Sequence, residues 1–276
     1  MESDIKILES FIRNHTEEAV LLIETSETNQ IIDLLGKLSD DLAALTLSTM
    51  DRFNASRIMM EANHDLTMRI LGKCTPEAAA NVLRPLDKKI SGKILSGMAQ
   101  DFASSIRLLL SYPENTVGSC LTPDVLTFSP KITIGEALEK IRNNPGDVYA
   151  YVYILSHDNK LKGFVDLPSL IAGQENKSLQ SIMKTDYDSV LGSLQIDALI
   201  NEYFNETNIS SLPVVDINNV FLGIVERDKV RRRTQIKNRD RRQLHQTSAA
   251  LGDLFQIGLS SLLKGTADVL WNYKDK

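Results

Sequence analysis

A strict twelve-residue period runs through the first 110 residues of the chain. Leu38, Met50, Ala62, Cys74, Leu86, Met98 and Leu110 mark its phase. Four residues after each start come Leu42, Asn54, Leu66, Ala78, Ile90 and Phe102, and eight after come Thr46, Ile58, Ile70, Val82, Ile94 and Ile106. Nine after come Leu47, Met59, Leu71, Leu83, Leu95 and Arg107. Offsets 0, 4 and 8 fall on one stripe of a helix,. Twelve residues hold about two and a half helical turns and a short connection. Asp40, Asp51, Thr75 and Asp87 stand one or two places after a start, where a polar side chain can cap the next helix,. Thr75-Pro76-Glu77 adds proline at the first helical position,. Helices this short cannot bury their stripes alone, so the period predicts a stacked, superhelical array. Residues 1–25 are predicted to form one longer helix that caps it, and Met59, Met60, Met68 and Met98 are read as packing residues,.

After Tyr112-Pro113 the pattern changes to short strands and helices that repeat once. Val117–Ala137 aligns with Leu179–Leu199 at a separation of 62, pairing Ser119 with Ser181, Leu121 with Met183, Asp124 with Asp186 and Ile134 with Ile196. Tyr151–Val165 aligns with Ser211–Val225 at a separation of 60, pairing Gly163 with Gly223. In the first copy the predicted elements are a strand at 125–128, a helix at 134–142 and a hairpin of 150–155 with 161–165 around the turn His157-Asp158-Asn159-Lys160,. The second copy repeats the hairpin. Two such α+β modules in tandem are expected to pack face to face and bury their sheets together.

Composition narrows the function. The two cysteines, Cys74 and Cys120, have no metal-ligand spacing and read as free thiols of a reducing compartment,. The longest apolar run, Val148–Leu155, is eight residues, against about 20 for a bilayer crossing,. The opening residues carry Glu2, Asp4 and Glu9, unlike a secretory leader,. From Glu226 onward there are 12 Lys/Arg and 6 Asp/Glu, a net of +6, so with a total of −5 the first 225 residues carry −11. An acidic body with a basic arm suits an anionic partner or a second acidic protein. No HExxH, GxSxG or P-loop pattern is present, and the reading is not an enzyme,.

Ser211-Leu212-Pro213-Val214-Val215-Asp216 with Leu222-Gly223-Ile224-Val225 resembles the signature of CBS domains. Tyr112-Pro113-Glu114-Asn115-Thr116-Val117-Gly118 followed by Leu121-Thr122-Pro123 resembles the junction between the helical domain and first CBS domain of MgtE magnesium channels. The twelve-residue repeat is similar to that family's N-terminal domain. The expected fold class is therefore α+β multidomain: an N-terminal all-α superhelical repeat domain (1–111), a tandem CBS pair of βαββα modules (112–176 and 177–230), then a basic arm and C-terminal amphipathic helix (231–276). The resemblance implies a cytoplasmic Mg²⁺ sensor that controls a partner, dimerises through its CBS domains and holds hydrated Mg²⁺ between carboxylates. The candidates are Asp87, Asp101, Glu114 and Asp228,.

Three departures qualify this expectation. The chain ends about 45 residues beyond the second CBS module, with no spanning segment, so the expected role is regulation and not conduction,. Where the family has an acidic connecting helix, this chain has Arg231, Arg232, Arg233, Arg239, Arg241 and Arg242, and a guanidinium cannot ligate Mg²⁺,. The CBS signature for adenine nucleotides places Ser or Thr after Gly-apolar-apolar and Asp three residues later. Here those hydroxyl positions are Asp166 and Glu226 and the later Asp is missing from both copies, leaving Asp228 as the surviving ribose candidate. A carboxylate repels phosphate, so an adenine nucleotide ranks below Mg²⁺. The arginines and the 243–271 helix suit a protein partner or a peripheral, anionic membrane surface,. Nucleic acid is disfavoured, since no aromatic residues interleave the basic run,. The alternative to a sensor is a constitutive scaffold or adaptor using the helical domain and the basic arm.

Overall fold

The protein was analysed as a computed structural model, which describes residues 2–144, 149–205 and 209–231. Most of the basic arm and the whole 243–271 helix candidate lie outside those residues. The chain forms two compact bodies, one taking in residues up to Ala103 and the other beginning at Ser104.

In the first body the period becomes helix starts. Helices α3 (Thr28–Lys37), α4 (Asp40–Thr49), α5 (Arg52–Glu61), α6 (His64–Leu71), α7 (Pro76–Leu83), α8 (Lys88–Ser96) and α9 (Gln100–Ser111) each begin twelve residues after the last. α9 runs on from this body into the second. The caps sit one place after each start. Asp51 accepts from the backbone N–H groups of Phe53 and Asn54, Asn63 from Leu66 and Thr75 from Ala78. Asp40, expected as a cap, is the first residue of α4, and Ser39 precedes it as N-cap. Asp87 holds the N-cap position of α8 without a side-chain hydrogen bond. Replacing Thr75 by Ala should therefore cost about 1 kcal/mol in chemical denaturation, and Asp87→Ala only a few tenths.

Each helix packs on the helix two along, α2 on α4, α3 on α5, α4 on α6 and α5 on α7. The stripe is buried as its spacing requires: Leu42, Thr46, Ile58, Ile70 and Val82 are all 2% exposed or less. It weakens toward α8, because Leu86, just before that helix, and Ile90 and Ile94 within it are only half-buried. A further periodic signal lies at offset five, where Ala43, Ala55, Thr67, Ala79, Ser91 and Ala103 are all buried. Small side chains there let helices pack closely, and the Ser56 hydroxyl donates to the Val82 carbonyl across the α5–α7 contact,. Of the methionines, Met59 is buried, but Met60 is 56% exposed and is not a packing residue.

The predicted single N-terminal helix is two, α1 (Glu2–Asn14) and α2 (Thr16–Ile23). The backbone leaves the helical region at His15 (φ −138°, ψ 54°). Leu8 and Ile12 before the break and Ala19, Val20 and Ile23 after it are all buried. Just beyond α2, Glu24 accepts from the Asp51 backbone N–H at 2.7 Å and from Asn54 Nδ2 at 3.1 Å, which ties this region to the start of α5.

The second body holds both modules. In the first are β1 (Thr127–Phe128), α10 (Ile134–Asn143), β2 (Tyr151–Leu155), β3 (Leu161–Asp166) and α11 (Leu167–Ala172). The second has β4 (Val190–Leu191), α12 (Ile196–Leu199) running into a π-helical turn at Ile200–Phe204, β5 (Ser211–Val215) and β6 (Phe221–Glu226). A helix opens at 227, directly after β6. Each sheet has the order short strand, hairpin strand, hairpin strand, with the first pair parallel and the second antiparallel. The repeat extends to fine detail. Register irregularities fall at Ile154/Leu155 and Val214/Val215, and Asn159 (φ 55°) and Asn219 (φ 61°) take the left-handed position of the two turns. Asparagine tolerates that region better than most residues.

The junction sequence has a structural role. The Val117 and Gly118 N–H groups donate to the Leu194 and Gly192 carbonyls, and the Ile196 N–H donates to the Asn115 carbonyl. The segment after α9 is thereby laced to the second module, not only to the first. Both cysteines are free and buried.

Candidate functional site

The two modules exchange their leading segments. Thr122, ahead of β1, makes a two-way backbone bridge to Ile224 of β6 (2.7 and 3.0 Å). Lys184, ahead of β4, makes the equivalent bridge to Phe164 of β3 (3.0 and 2.9 Å). The hairpin turns also meet, Leu161 N–H donating to the Asn219 carbonyl and Phe221 N–H to that of Asn159. Neither module can separate without breaking the other's pairing.

This close approach explains the glycines of the signature. A Cβ at Gly163 would overlap the Lys184 carbonyl oxygen, and one at Gly223 would overlap that of Thr122. Gly223 also has φ +142°, which side chains rarely adopt,.

The two acidic residues that replace the signature hydroxyl are already engaged. Asp166 accepts from the Ser169 N–H at the start of α11 and pairs with Lys184 at 2.5 Å. The Lys184 hydrogen bond, then those from Ser169, hold its carboxyl far below the usual carboxylate range. Glu226 accepts from the Thr122 hydroxyl at 3.1 Å and pairs with Lys229 at 3.1 Å. In both modules the carboxylate at this position is thus paired with a lysine of the chain itself.

Beside the Asp166–Lys184 pair opens a cleft of about 220 Å³ between the modules. β2 and β3 supply Tyr151, Tyr153 and Phe164, the segment before β4 supplies Asp186, Tyr187 and Asp188, and β5 supplies Ser211 at its edge. Tyr151 and Phe164 meet edge to face, centroids 5.1 Å apart,. Tyr187 is fixed by donating its hydroxyl to the Leu161 carbonyl at 3.2 Å. Tyr153 is 2% exposed, with its hydroxyl near Ser211 at the start of β5. Burial pushes its pKa up to about 12, although nearby Ser211 counters the shift in part.

The sequence-derived candidates are placed elsewhere. Asp87, Asp101, Glu114 and Asp228 are all exposed. Asp87 is at the start of α8, Asp101 in the first turn of α9, and Asp228 in the helix after β6. Among the described residues no three His, Cys, Asp or Glu side chains gather into a group that could hold a metal. Arg231 is exposed, while Arg232, Arg233, Arg239, Arg241 and Arg242 lie outside the described residues. The cleft residues went unassigned in the sequence, yet one signal was there. Asp186 is the repeat partner of Asp124, and the copies diverge in use: Asp124 accepts from Ser105 at 2.9 Å, whereas Asp186 faces the cleft.

Comparison with known proteins follows this division. Residues 14–115 match the MgtE intracellular N domain, and residues 117–173 and 179–235 each match the CBS domain. The magnesium transporter MgtE of Bacillus subtilis (strain 168) is 23% identical over 73% of this chain and 42% of its own length. The chain thus spans less than half the length of the curated relatives it matches. The cytosolic domain of the Mg²⁺ channel MgtE in complex with ATP has the same fold, with TM-score 0.70 and 21% identity over 83% of this chain and 94% of that one. So does the soluble part of a magnesium transporter, with TM-score 0.63 and 20% identity over 86% and 99%. No helix among the described residues is long and apolar enough to cross a membrane.

Proposed function

We propose that this chain, an MgtE intracellular N domain followed by a tandem CBS pair, is a non-enzymatic regulatory module that responds to Mg²⁺ and controls a partner protein. The observation that carries the reading is electrostatic. The first 225 residues hold a net −11, and Asp87, Asp101, Glu114 and Asp228 keep their carboxylates at the surface. Mg²⁺ retains most of its water and needs only one or two carboxylates, so scattered surface acids fit a weak hydrated site and not a dehydrated cage. Binding would relieve repulsion that otherwise opposes the compact state. A homodimer through the CBS pair belongs to the same reading. The basic arm from Arg231 is the candidate contact for a protein partner or an anionic membrane surface in the cytoplasm.

Isothermal titration with Mg²⁺ tests this. A saturable heat that weakens in Asp87→Asn and Asp101→Asn is expected. The second reading, a constitutive adaptor, is favoured by the lysines already paired with Asp166 and Glu226. It predicts no saturable heat, together with loss of partner binding on truncation after Val230.

A further inference from the structure

The twelve-residue period sets what each position of the helical array should carry, and two neighbouring positions break it. Three places after each start stand Asp41, Phe53, Asp65, Glu77, Lys89 and Asp101. All but one are charged, as suits the outer side of a helix, and the exception is an aromatic ring 58% exposed,. Ten places after each start, Met60 stands in line with Ser48, Gly72, Arg84, Ser96 and Leu108, and it is 56% exposed.

Both departures fall on α5. That helix packs on α3, α4 and α7 and buries Ala55, Ser56, Ile58 and Met59. Phe53, Arg57 and Met60, at i, i+4 and i+7, are left as one exposed stripe, apolar at each end and basic at the centre,. The Arg52 guanidinium lies over the Phe53 ring, 4.7 Å from its centroid,. Arg57 donates to the neutral side chain of Asn54 at 3.3 Å. Aromatic residues, Met and Arg are the types enriched where protein surfaces meet.

A matching segment is present in the same chain. Residues 243–263, outside the described residues, carry Leu244, Leu251, Leu254, Phe255, Leu259 and Leu262 at helical spacings,. Asp253 is the single Asp, Glu, Lys or Arg among them, one carboxylate beside an apolar line to meet one guanidinium within an apolar stripe,. The connecting residues 232–242 can extend to roughly 36 Å, beyond the about 30 Å diameter of a small domain. Attachment to the same chain makes the contact intramolecular, so a small stripe is enough, whereas a separate partner needs about 800 Å² a side.

We infer that residues 243–263 dock on the Phe53–Arg57–Met60 stripe of α5 in the same chain, with Asp253 beside Arg57. The contact is independent of the Mg²⁺ reading and is measured without divalent cations.

Hydrogen–deuterium exchange of the full chain, read peptide by peptide, tests it. Amides of 243–263 should exchange several-fold more slowly than in an isolated peptide of the same sequence. Phe53→Ser/Met60→Ser should return them toward the peptide's rates and leave α4 and α7 unchanged, because both replaced side chains are exposed. Arg57→Glu should also speed exchange several-fold, and Arg57→Glu/Asp253→Arg should restore protection, a rescue that general loss of structure would not give. Exchange in the parent chain as fast as in the isolated peptide would overturn the inference, as would protection indifferent to these variants. Protection that fades on dilution would place the segment on a second copy and overturn it too.

Discussion

Gly223→Ala should lower the thermal midpoint of the CBS body by roughly 6 °C or more, the shift expected for about 3 kcal/mol in a body of this size. Two independent terms add at this position. The backbone is at φ +142°, where a side chain is strained, and such strain costs of order 1–3 kcal/mol,. The new Cβ would also overlap the Thr122 carbonyl and lie 2.9 Å from Pro123 Cα, backbone atoms that cannot rotate away. Overpacking of this kind costs about 1–3 kcal/mol more. Gly163→Ala meets the corresponding Lys184 carbonyl but lacks the positive φ, so it should cost less. A Gly223→Ala midpoint within about 1 °C of the parent would mean that the exchanged leader is not held as described.

In the helical body the largest effect is expected at Ile58. It is fully buried in α5, and truncation to Ala should cost about 2–5 kcal/mol by chemical denaturation,. Ile94 has the same place in the period but is half-buried, so Ile94→Ala should cost less than half as much. Met60→Ala, at a residue 56% exposed, should stay within about 0.5 kcal/mol,. Equal losses at Ile58 and Ile94 would contradict the weakening of the core toward α8.

These two bodies were legible in the sequence to different depths. The period placed helix boundaries because one signal, an apolar stripe with a polar cap, repeats and cross-checks itself. It missed the small residues at offset five, since alanine and serine look neutral until two backbones approach. The break at His15 escaped because Asn14-His15-Thr16 contains no glycine or proline to signal it. In the modules, hairpin residues were readable from alternation and turn chemistry. The exchange of leaders was not, because Thr122 and Lys184 bond through backbone atoms that any residue supplies.

The candidate site was harder still. Asp166 and Glu226 were visible in the sequence as acids at the signature hydroxyl positions, but their lysine partners come from different places. Lys184 lies 18 residues after Asp166 and Lys229 three after Glu226, so no shared spacing reveals them. The cleft is assembled from three separated segments, and only folding shows that Tyr153 is buried there.

The central claim is that the chain responds to Mg²⁺, and its most direct test is the thermal unfolding midpoint across a Mg²⁺ titration, with Na⁺ controls at matched ionic strength. A ligand that binds only the native state stabilises it by RT ln(1 + [L]/Kd), about 2.7 kcal/mol at a hundred times Kd. The account predicts a saturable rise beyond the salt control, reduced in Asp87→Asn and Asp101→Asn. A midpoint that tracks ionic strength alone would contradict it and leave the adaptor reading in its place.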